Sequence, residues 1–140
     1  PARSNSQVQT YAFTFTDSHG WQDIGVVNIL INNALDARNA CYIAFVPSAA
    51  SSGSVYLVDD AGNAGGPFGI LTLPETGAVQ NSQCAIGGNG SLVMGNANTL
   101  TLTLTIAFSP SFGGNRVFYL AARQGRLSSG WQAVGSLTVP

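Results

Sequence analysis

The single histidine of the chain decides which kinds of nucleophilic or acid–base catalysis the sequence could support. Any Ser-His-Asp or Cys-His mechanism would have to use His19, which follows Asp17 and Ser18 directly. Side chains that are adjacent in a tight turn diverge, and the chain contains no Gly-x-Ser-x-Gly elbow. We therefore interpret His19 as a solvated turn residue, and we expect the protein not to be an enzyme.

The acidic residues offer little for hydrolysis or metal binding. Glycoside hydrolysis needs two facing carboxyl groups about 5 to 10 Å apart, and the only clustered acids are Asp59 and Asp60. Consecutive strand residues point to opposite faces of a sheet, so this pair does not predict catalysis. Asp59, Asp60 and Asn63 are a weak candidate for calcium, but an ordinary Asp-Gly turn explains them better. We expect no metal and no cofactor.

Aromatic and amide side chains are better candidates for a function, namely the binding of a carbohydrate. Sugar-binding sandwiches stack pyranose rings on exposed Trp and Tyr, and nearby Asn, Gln and Asp bind the hydroxyl groups. The candidate ligand-binding residues here are Trp21, Gln22, Asp23, Tyr42, Tyr56, Trp131 and Gln132. In the alternative interpretation, which we favour for the two tryptophans, they cover the ends of the hydrophobic core.

Cys41 and Cys84 are the only cysteines of the chain. Neither belongs to a Cys-x-x-Cys pair and there is one histidine, so a zinc site is poorly supported. The alternatives are a disulfide and two buried free thiols. We favour the disulfide, because both cysteines lie in segments that resemble strands and because the composition is typical of secreted proteins.

Charge is scarce in this chain of 140 residues. Charged residues make up 8% of it, with no lysine and a net charge of −1, against about 25% in ordinary soluble proteins. Nothing resembles the clustered basic face that nucleic acid requires. No apolar run reaches the length of about 20 residues that a membrane span needs, so we expect no membrane insertion. Weak like-charge repulsion favours association with neighbouring copies.

Alternating apolar and polar residues predict an all-β fold. Residues 99–108 place Leu and Ile between Thr residues, and Tyr11–Thr16 alternates in the same way. Further strands are expected at Ile24–Asn32, Ala40–Val46, Ser54–Asp59, Phe68–Leu73, Val79–Ile86, Arg116–Arg123 and Trp131–Val139. Glycine- and asparagine-rich turns separate them, so about nine strands predict a sandwich or a barrel.

Three segments complete the predicted organisation. Asn32–Arg38 lacks β-branched residues and could form one or two helical turns. Ser48–Ser54 is expected to be a mobile loop. The polar start of the chain indicates a linker or N-terminal arm over residues 1–8, which leaves a single domain over residues 9–140.

Parts of the sequence resemble bacterial extracellular immunoglobulin-like domains. In those domains an alternating strand ends in an Asp-x-x-Gly turn and an apolar strand then crosses to the second sheet, as in residues 11–20 and 24–31. The segment from Asn115 to Val139 is similar to their closing hairpin. With Asn39-Ala40-Cys41-Tyr42 and Asn81-Ser82-Gln83-Cys84, the chain also resembles a Cys-containing repeat unit of large secreted proteins of soil bacteria. The resemblance implies an immunoglobulin-like β-sandwich, tandem arrangement and surface or secreted display.

These observations favour a non-catalytic extracellular module with structural or adhesive duties, which forms one repeat of a larger surface or secreted protein. The first alternative is a carbohydrate-binding module that uses exposed Trp and Tyr. The second is a subunit of an extracellular filament or capsid decoration, which an open edge strand would serve. The expected partners are neighbouring copies or domains of the same protein, and glycans in the alternative function.

Overall fold

The computed structural model describes residues 2–3, 8–62, 68–124, 127–128 and 130–139. These residues form strands and two short 3-10 turns, η1 (Trp21–Asp23) and η2 (Pro110–Phe112). No helix among them is long and apolar enough for a membrane crossing. The strands are β1 (Ala2–Arg3), β2 (Val8–Thr16), β3 (Val26–Asn32), β4 (Cys41–Ala49), β5 (Ser52–Val58), β6 (Phe68–Leu73), β7 (Ala78–Gln80), β8 (Cys84–Asn96), β9 (Thr99–Phe108), β10 (Gly114–Gln124), β11 (Leu127–Ser128) and β12 (Gln132–Val139).

The strands form two sheets, as predicted for a sandwich. The larger sheet has the order β1-β12-β10-β3-β4-β5-β6, with β11 paired to β10, and the smaller has the order β2-β9-β8-β7. All pairs are antiparallel except β1 with β12, which brings Ala2 and Arg3 of the predicted N-terminal arm into the larger sheet. The chain crosses between sheets after β1, β2, β6 and β9. The all-β sandwich is confirmed, with twelve described strands where about nine were expected.

The inner faces of the two sheets form the hydrophobic core. In β9 every second residue, from Leu100 to Phe108, is buried, while the threonines between them are only partly covered. In β4 the buried positions are Cys41, Ile43 and Phe45. This alternation is the period of two that the sequence showed, because successive side chains of a strand point to opposite faces.

Residues 33–40, which include most of the predicted helical segment, form a loop without a helix. The side-chain Nδ2 of Asn32 donates to the backbone carbonyl oxygens of Asp36 and Arg38, at 3.0 and 3.2 Å. The Asp36 carboxylate accepts hydrogen bonds from the backbone and the guanidinium of Arg38. Side chains of Asn and Asp thus take backbone partners that a helix would need, and the helical prediction is wrong for this reason.

Two further predictions about local structure are wrong, because the segments concerned form β-hairpins. Ser48–Ser54, predicted to be a mobile loop, contains the end of β4, a turn at residues 50–51 and the start of β5, and the hydroxyl groups of Ser48 and Ser52 lie 2.9 Å apart. Val79–Ile86, predicted to be one strand, is divided into β7 and β8. The Asn81 carboxamide oxygen accepts from the backbone of Gln83 and Cys84, at 2.9 Å each, which folds the chain back.

The disulfide between Cys41 and Cys84 is confirmed and joins the two sheets. Cys41 begins β4 in the larger sheet, Cys84 begins β8 in the smaller sheet, and the sulfur atoms lie 2.08 Å apart. Both residues are buried in the core. A disulfide of this kind is compatible with an oxidising setting.

Asn81 reinforces the same end of the sandwich with hydrogen bonds. Its side-chain Nδ2 donates to the backbone carbonyl oxygen of Ala40, at 2.9 Å, and to that of Val58, at 3.1 Å. These carbonyl groups adjoin β4 and β5 of the larger sheet, whereas the carboxamide oxygen of Asn81 closes the β7–β8 turn of the smaller sheet. One side chain therefore connects the two sheets beside the disulfide.

We predict that Asn81→Ala lowers the free energy of unfolding by about 2–4 kcal/mol, since it leaves several backbone groups without partners. Urea denaturation measures this change. Asn89→Ala, which truncates an exposed asparagine, is the matched control and should change the free energy of unfolding by less than about 0.5 kcal/mol. Equal effects of the two substitutions would contradict the role of Asn81.

Removal of the disulfide is predicted to destabilise the protein through the unfolded chain. The two cysteines are separated by 43 residues, and the loop-entropy relation gives a loss of about 4 kcal/mol for a loop of this length. Urea denaturation of the Cys41→Ala/Cys84→Ala protein measures the loss. Addition of reductant should destabilise the wild-type protein and leave this double variant unchanged.

Candidate functional site

Aromatic side chains gather on the outer surface of the larger sheet. Tyr42 and Tyr56 occupy the outward positions of β4 and β5, because their neighbours along each strand are buried in the core. The Tyr42 ring meets that of Trp131 edge to face, with centroids 5.8 Å apart. The Tyr56 ring meets that of Phe68 in the same manner, also at 5.8 Å. We call the surface formed by Tyr42, Tyr56, Phe68, Ile70 and Trp131 the aromatic face.

Strand register explains why these residues are neighbours. Ala44 of β4 pairs with Tyr56 of β5, which in turn pairs with Ile70 of β6. Tyr42 precedes Ala44 by one outward position, and Phe68 precedes Ile70 in the same way. Diagonal neighbours on one face of a sheet lie about 7–8 Å apart, within reach of aromatic side chains. The small side chain of Ala44 therefore lies opposite Tyr56 and one outward position from Tyr42.

The aromatic face is open at one side and covered at the other. Ile70 is 59% exposed and Phe68 is 36% exposed, whereas Leu30, which pairs with Tyr42, is 2% exposed. Burial raises the pKa of the Tyr42 phenol above its usual value of 10.0, although the nearby positive charge of Arg123 opposes the shift. The phenol of Tyr42 is thus partly removed from water, and Arg123 supplies a cation close to it.

A polar cleft of about 480 Å³ adjoins the aromatic face. Phe68 belongs to both, and Asp59, Gln80 and Ser82 contribute carboxylate, amide and hydroxyl groups to the cleft wall. Apolar area with a few convergent polar groups is the usual composition of a small-ligand site. The cleft lies at the end of the sandwich that Asn81, another of its lining residues, holds together.

The structure divides the predicted ligand-binding residues between two places. Tyr42, Tyr56 and Trp131 lie on the aromatic face, where Tyr42 contacts Trp131 and Tyr56 contacts Phe68, and Gln132 begins β12 directly after Trp131. The remaining three, Trp21, Gln22 and Asp23, form the turn η1.

Trp21 packs on the smaller sheet. Its ring lies on the backbone of Gly95, where an added Cβ atom would come within 2.5 Å of the ring. It is partly buried against the core, in agreement with the structural role favoured for it. Trp21 therefore does not contribute to the aromatic face.

The weak calcium candidate is engaged in other contacts. The two carboxylate oxygens of Asp60 accept hydrogen bonds from the backbone and the hydroxyl of Ser82, which ties the β5 end to the β7–β8 turn. Asn63 lies outside the described residues. Among the residues that the structure describes, the one group of three carboxylate or imidazole side chains does not include Asp59 or Asp60.

That group consists of Asp17, His19 and Asp23, which were not predicted to form a site. His19 was expected to be a solvated turn residue, and its side chain is indeed 80% exposed. However, its Nδ1 atom lies 3.5 Å from a carboxylate oxygen of Asp17 and 3.7 Å from one of Asp23. The signal in the sequence was the Asp-x-His spacing, with a second Asp four residues after the histidine.

No protein-family model, curated protein or solved structure matches the chain.

The raised pKa of Tyr42 predicts a loss of stability in alkali. The neutral phenol is favoured in the folded protein, so its contribution to stability is complete below about pH 10 and is lost as the pH rises through the folded-state pKa. Tyr42→Phe should therefore flatten the fall in the unfolding midpoint above about pH 10.

Phenolate absorbance tests the cause of the shift. Trp131→Ala uncovers Tyr42 and should lower its pKa toward the usual value. Trp21→Phe, which changes a tryptophan on the smaller sheet, is the control and should leave the absorbance titration unchanged. An unaltered titration in Trp131→Ala would contradict burial by Trp131 as the cause.

Proposed function

We propose that the chain is a non-catalytic extracellular module with structural and adhesive duties, which forms one repeat of a larger surface or secreted protein. Its contact surface is the aromatic face. The observation that supports this most directly is the gathering of exposed apolar side chains on the outer surface of a disulfide-linked sandwich. An apolar patch that the fold leaves in water is typical of an interaction surface.

The exposure of neighbouring residues supports a continuous patch. Val46 is 38% exposed and occupies an outward position of β4, on the same side as Tyr42 and Ala44. With Phe68 and Ile70 it extends the apolar surface across β4, β5 and β6. Scattered apolar residues on a surface are ordinary, whereas neighbouring ones across three strands favour a partner.

The chemistry of the chain supports an extracellular location. The one disulfide persists in an oxidising compartment, and it constrains the long middle section of the chain. Scarce charge and many hydroxyl and amide groups suit close packing with neighbouring copies in a tandem array.

The second candidate is a carbohydrate-binding module, and a specific observation favours it. Three of the residues proposed for sugar stacking, Tyr42, Tyr56 and Trp131, lie on one face beside a cleft with carboxylate, amide and hydroxyl groups. A pyranose ring presents apolar C–H groups to an aromatic ring and hydroxyl groups to polar side chains. In this candidate function the adhesive partner of the aromatic face is a glycan.

The third candidate, a filament subunit, would use strand edges instead. β2 is an edge strand of the smaller sheet, and its nine residues contain neither proline nor charge. Such an edge lacks the features that usually prevent pairing with another chain. Self-association that depends on β2 and not on the aromatic face would favour this candidate.

Binding to immobilised glycans and to the protein's own copies tests the proposal. Tyr56→Ala and Trp131→Ala should each weaken binding at the aromatic face by roughly 2- to 12-fold in Kd, which corresponds to about 0.5–1.5 kcal/mol for a lost aromatic contact. Trp21→Phe is the control, because Trp21 packs on the smaller sheet.

The outcomes separate the candidates. Glycan binding that these substitutions weaken supports the carbohydrate-binding module, and adhesion between copies that they weaken supports the structural and adhesive module. Thr14→Lys places a charge on the exposed side of the edge strand β2. Loss of self-association in this variant would support the filament subunit. Binding that survives both aromatic substitutions contradicts the aromatic face as the contact surface.

A further inference from the structure

Three potential metal ligands converge in the turn between β2 and β3. The Nδ1 atom of His19 lies 3.5 Å from Oδ1 of Asp17 and 3.7 Å from Oδ2 of Asp23. The ligand atoms of all three residues lie within 4.8 Å of one another. The two carboxylates are largely covered, at 18% and 23% exposure, while the imidazole is 80% exposed. The two carboxylates are thus mostly shielded from solvent, whereas the imidazole is exposed to it.

These separations suit a small divalent cation. Zinc binds imidazole nitrogen and carboxylate oxygen at about 2.0–2.2 Å, so two ligands of a regular tetrahedral site are about 3.4 Å apart. The two separations from Nδ1, 3.5 and 3.7 Å, are close to this edge length. The two carboxylates lie within 4.8 Å of each other, so side-chain rotations suffice to place a cation between the three ligand atoms.

The backbone fixes the positions of the ligands. The backbone N–H of Asp17 donates to the carbonyl oxygen of Asn98 at 2.8 Å, and that of Trp21 donates to the carbonyl oxygen of Ala97 at 3.1 Å. The turn is thus attached at two points to the β8–β9 hairpin. Gly20, with φ of 105°, allows the chain to pass from His19 into η1. Ligands held by rigid elements lose little freedom when an ion binds.

We propose that Asp17, His19 and Asp23 form a binding site for a divalent transition cation of the zinc type. Imidazole nitrogen combined with carboxylate oxygen suits Zn²⁺, Ni²⁺ and Cu²⁺, whereas Ca²⁺ requires six to eight oxygen ligands. Three protein ligands leave a fourth position, which faces solvent on the side of the exposed imidazole. This site lies apart from the aromatic face and does not depend on the proposed function.

Isothermal titration calorimetry of the untagged, chelator-treated chain with Zn²⁺ tests the site. We expect one cation per chain and no comparable heat with Ca²⁺. His19→Gln and Asp23→Asn each remove a ligand and should weaken binding by at least about tenfold. Glu75→Gln removes one negative charge from an exposed position outside the cluster and should bind Zn²⁺ as the wild-type chain does.

Tryptophan fluorescence provides a second measurement, because Trp21 lies in η1 together with Asp23 and two residues after His19. Binding of Ni²⁺ or Cu²⁺ should quench the emission of Trp21, and this quenching should be lost in Trp21→Phe and kept in Trp131→Phe. Circular dichroism confirms that each variant is folded. The proposal is overturned if the wild-type chain binds no Zn²⁺, or if binding persists unchanged in His19→Gln.

Discussion

The closure of one end of the sandwich by the Cys41–Cys84 bridge and the Asn81 side chain holds the two sheets in a fixed relation. The bridge joins the first residues of β4 and β8, and Asn81 joins the β7–β8 turn to carbonyl groups beside β4 and β5. Interactions between apolar inner faces are not directional, so they alone would tolerate sliding of one sheet over the other. A covalent bond and directed hydrogen bonds at one end remove that freedom.

The aromatic face and its cleft depend on this closure. Tyr42 follows Cys41 directly, and the cleft contains both Asn81 and Phe68. The two outer surfaces then differ in chemistry. The larger sheet presents aromatic rings, whereas the smaller sheet presents threonines from β2 and β9, such as Thr10 and Thr105, whose hydroxyl groups lie 3.3 Å apart. Leu92 and Met94 of β8 lie beside these threonines and are 46% and 57% exposed, so the outer surface of the smaller sheet combines hydroxyl and apolar groups.

Much of the local structure could be predicted from the sequence, because it depends on neighbours along the chain. The alternation in Leu100–Phe108 indicated which residues enter the core, and the structure confirms it. The predicted secondary structure was wrong where a side chain, instead of another backbone group, forms hydrogen bonds with the backbone. Asn32 and Asp36 close a loop where a helix was expected, and Asn81 folds back a segment that was expected to run straight.

The sequence by itself determined the all-β class and the inward and outward positions of the strands, since residue type and a period of two suffice for these. It favoured a bridge between the two cysteines over free thiols, and the structure confirms the bridge. Only the tertiary structure decided which outward residues meet. Tyr42 and Trp131 are far apart in the chain, and their contact depends on strand register and sheet order. Such contacts follow from long-range pairing, which a local pattern does not specify.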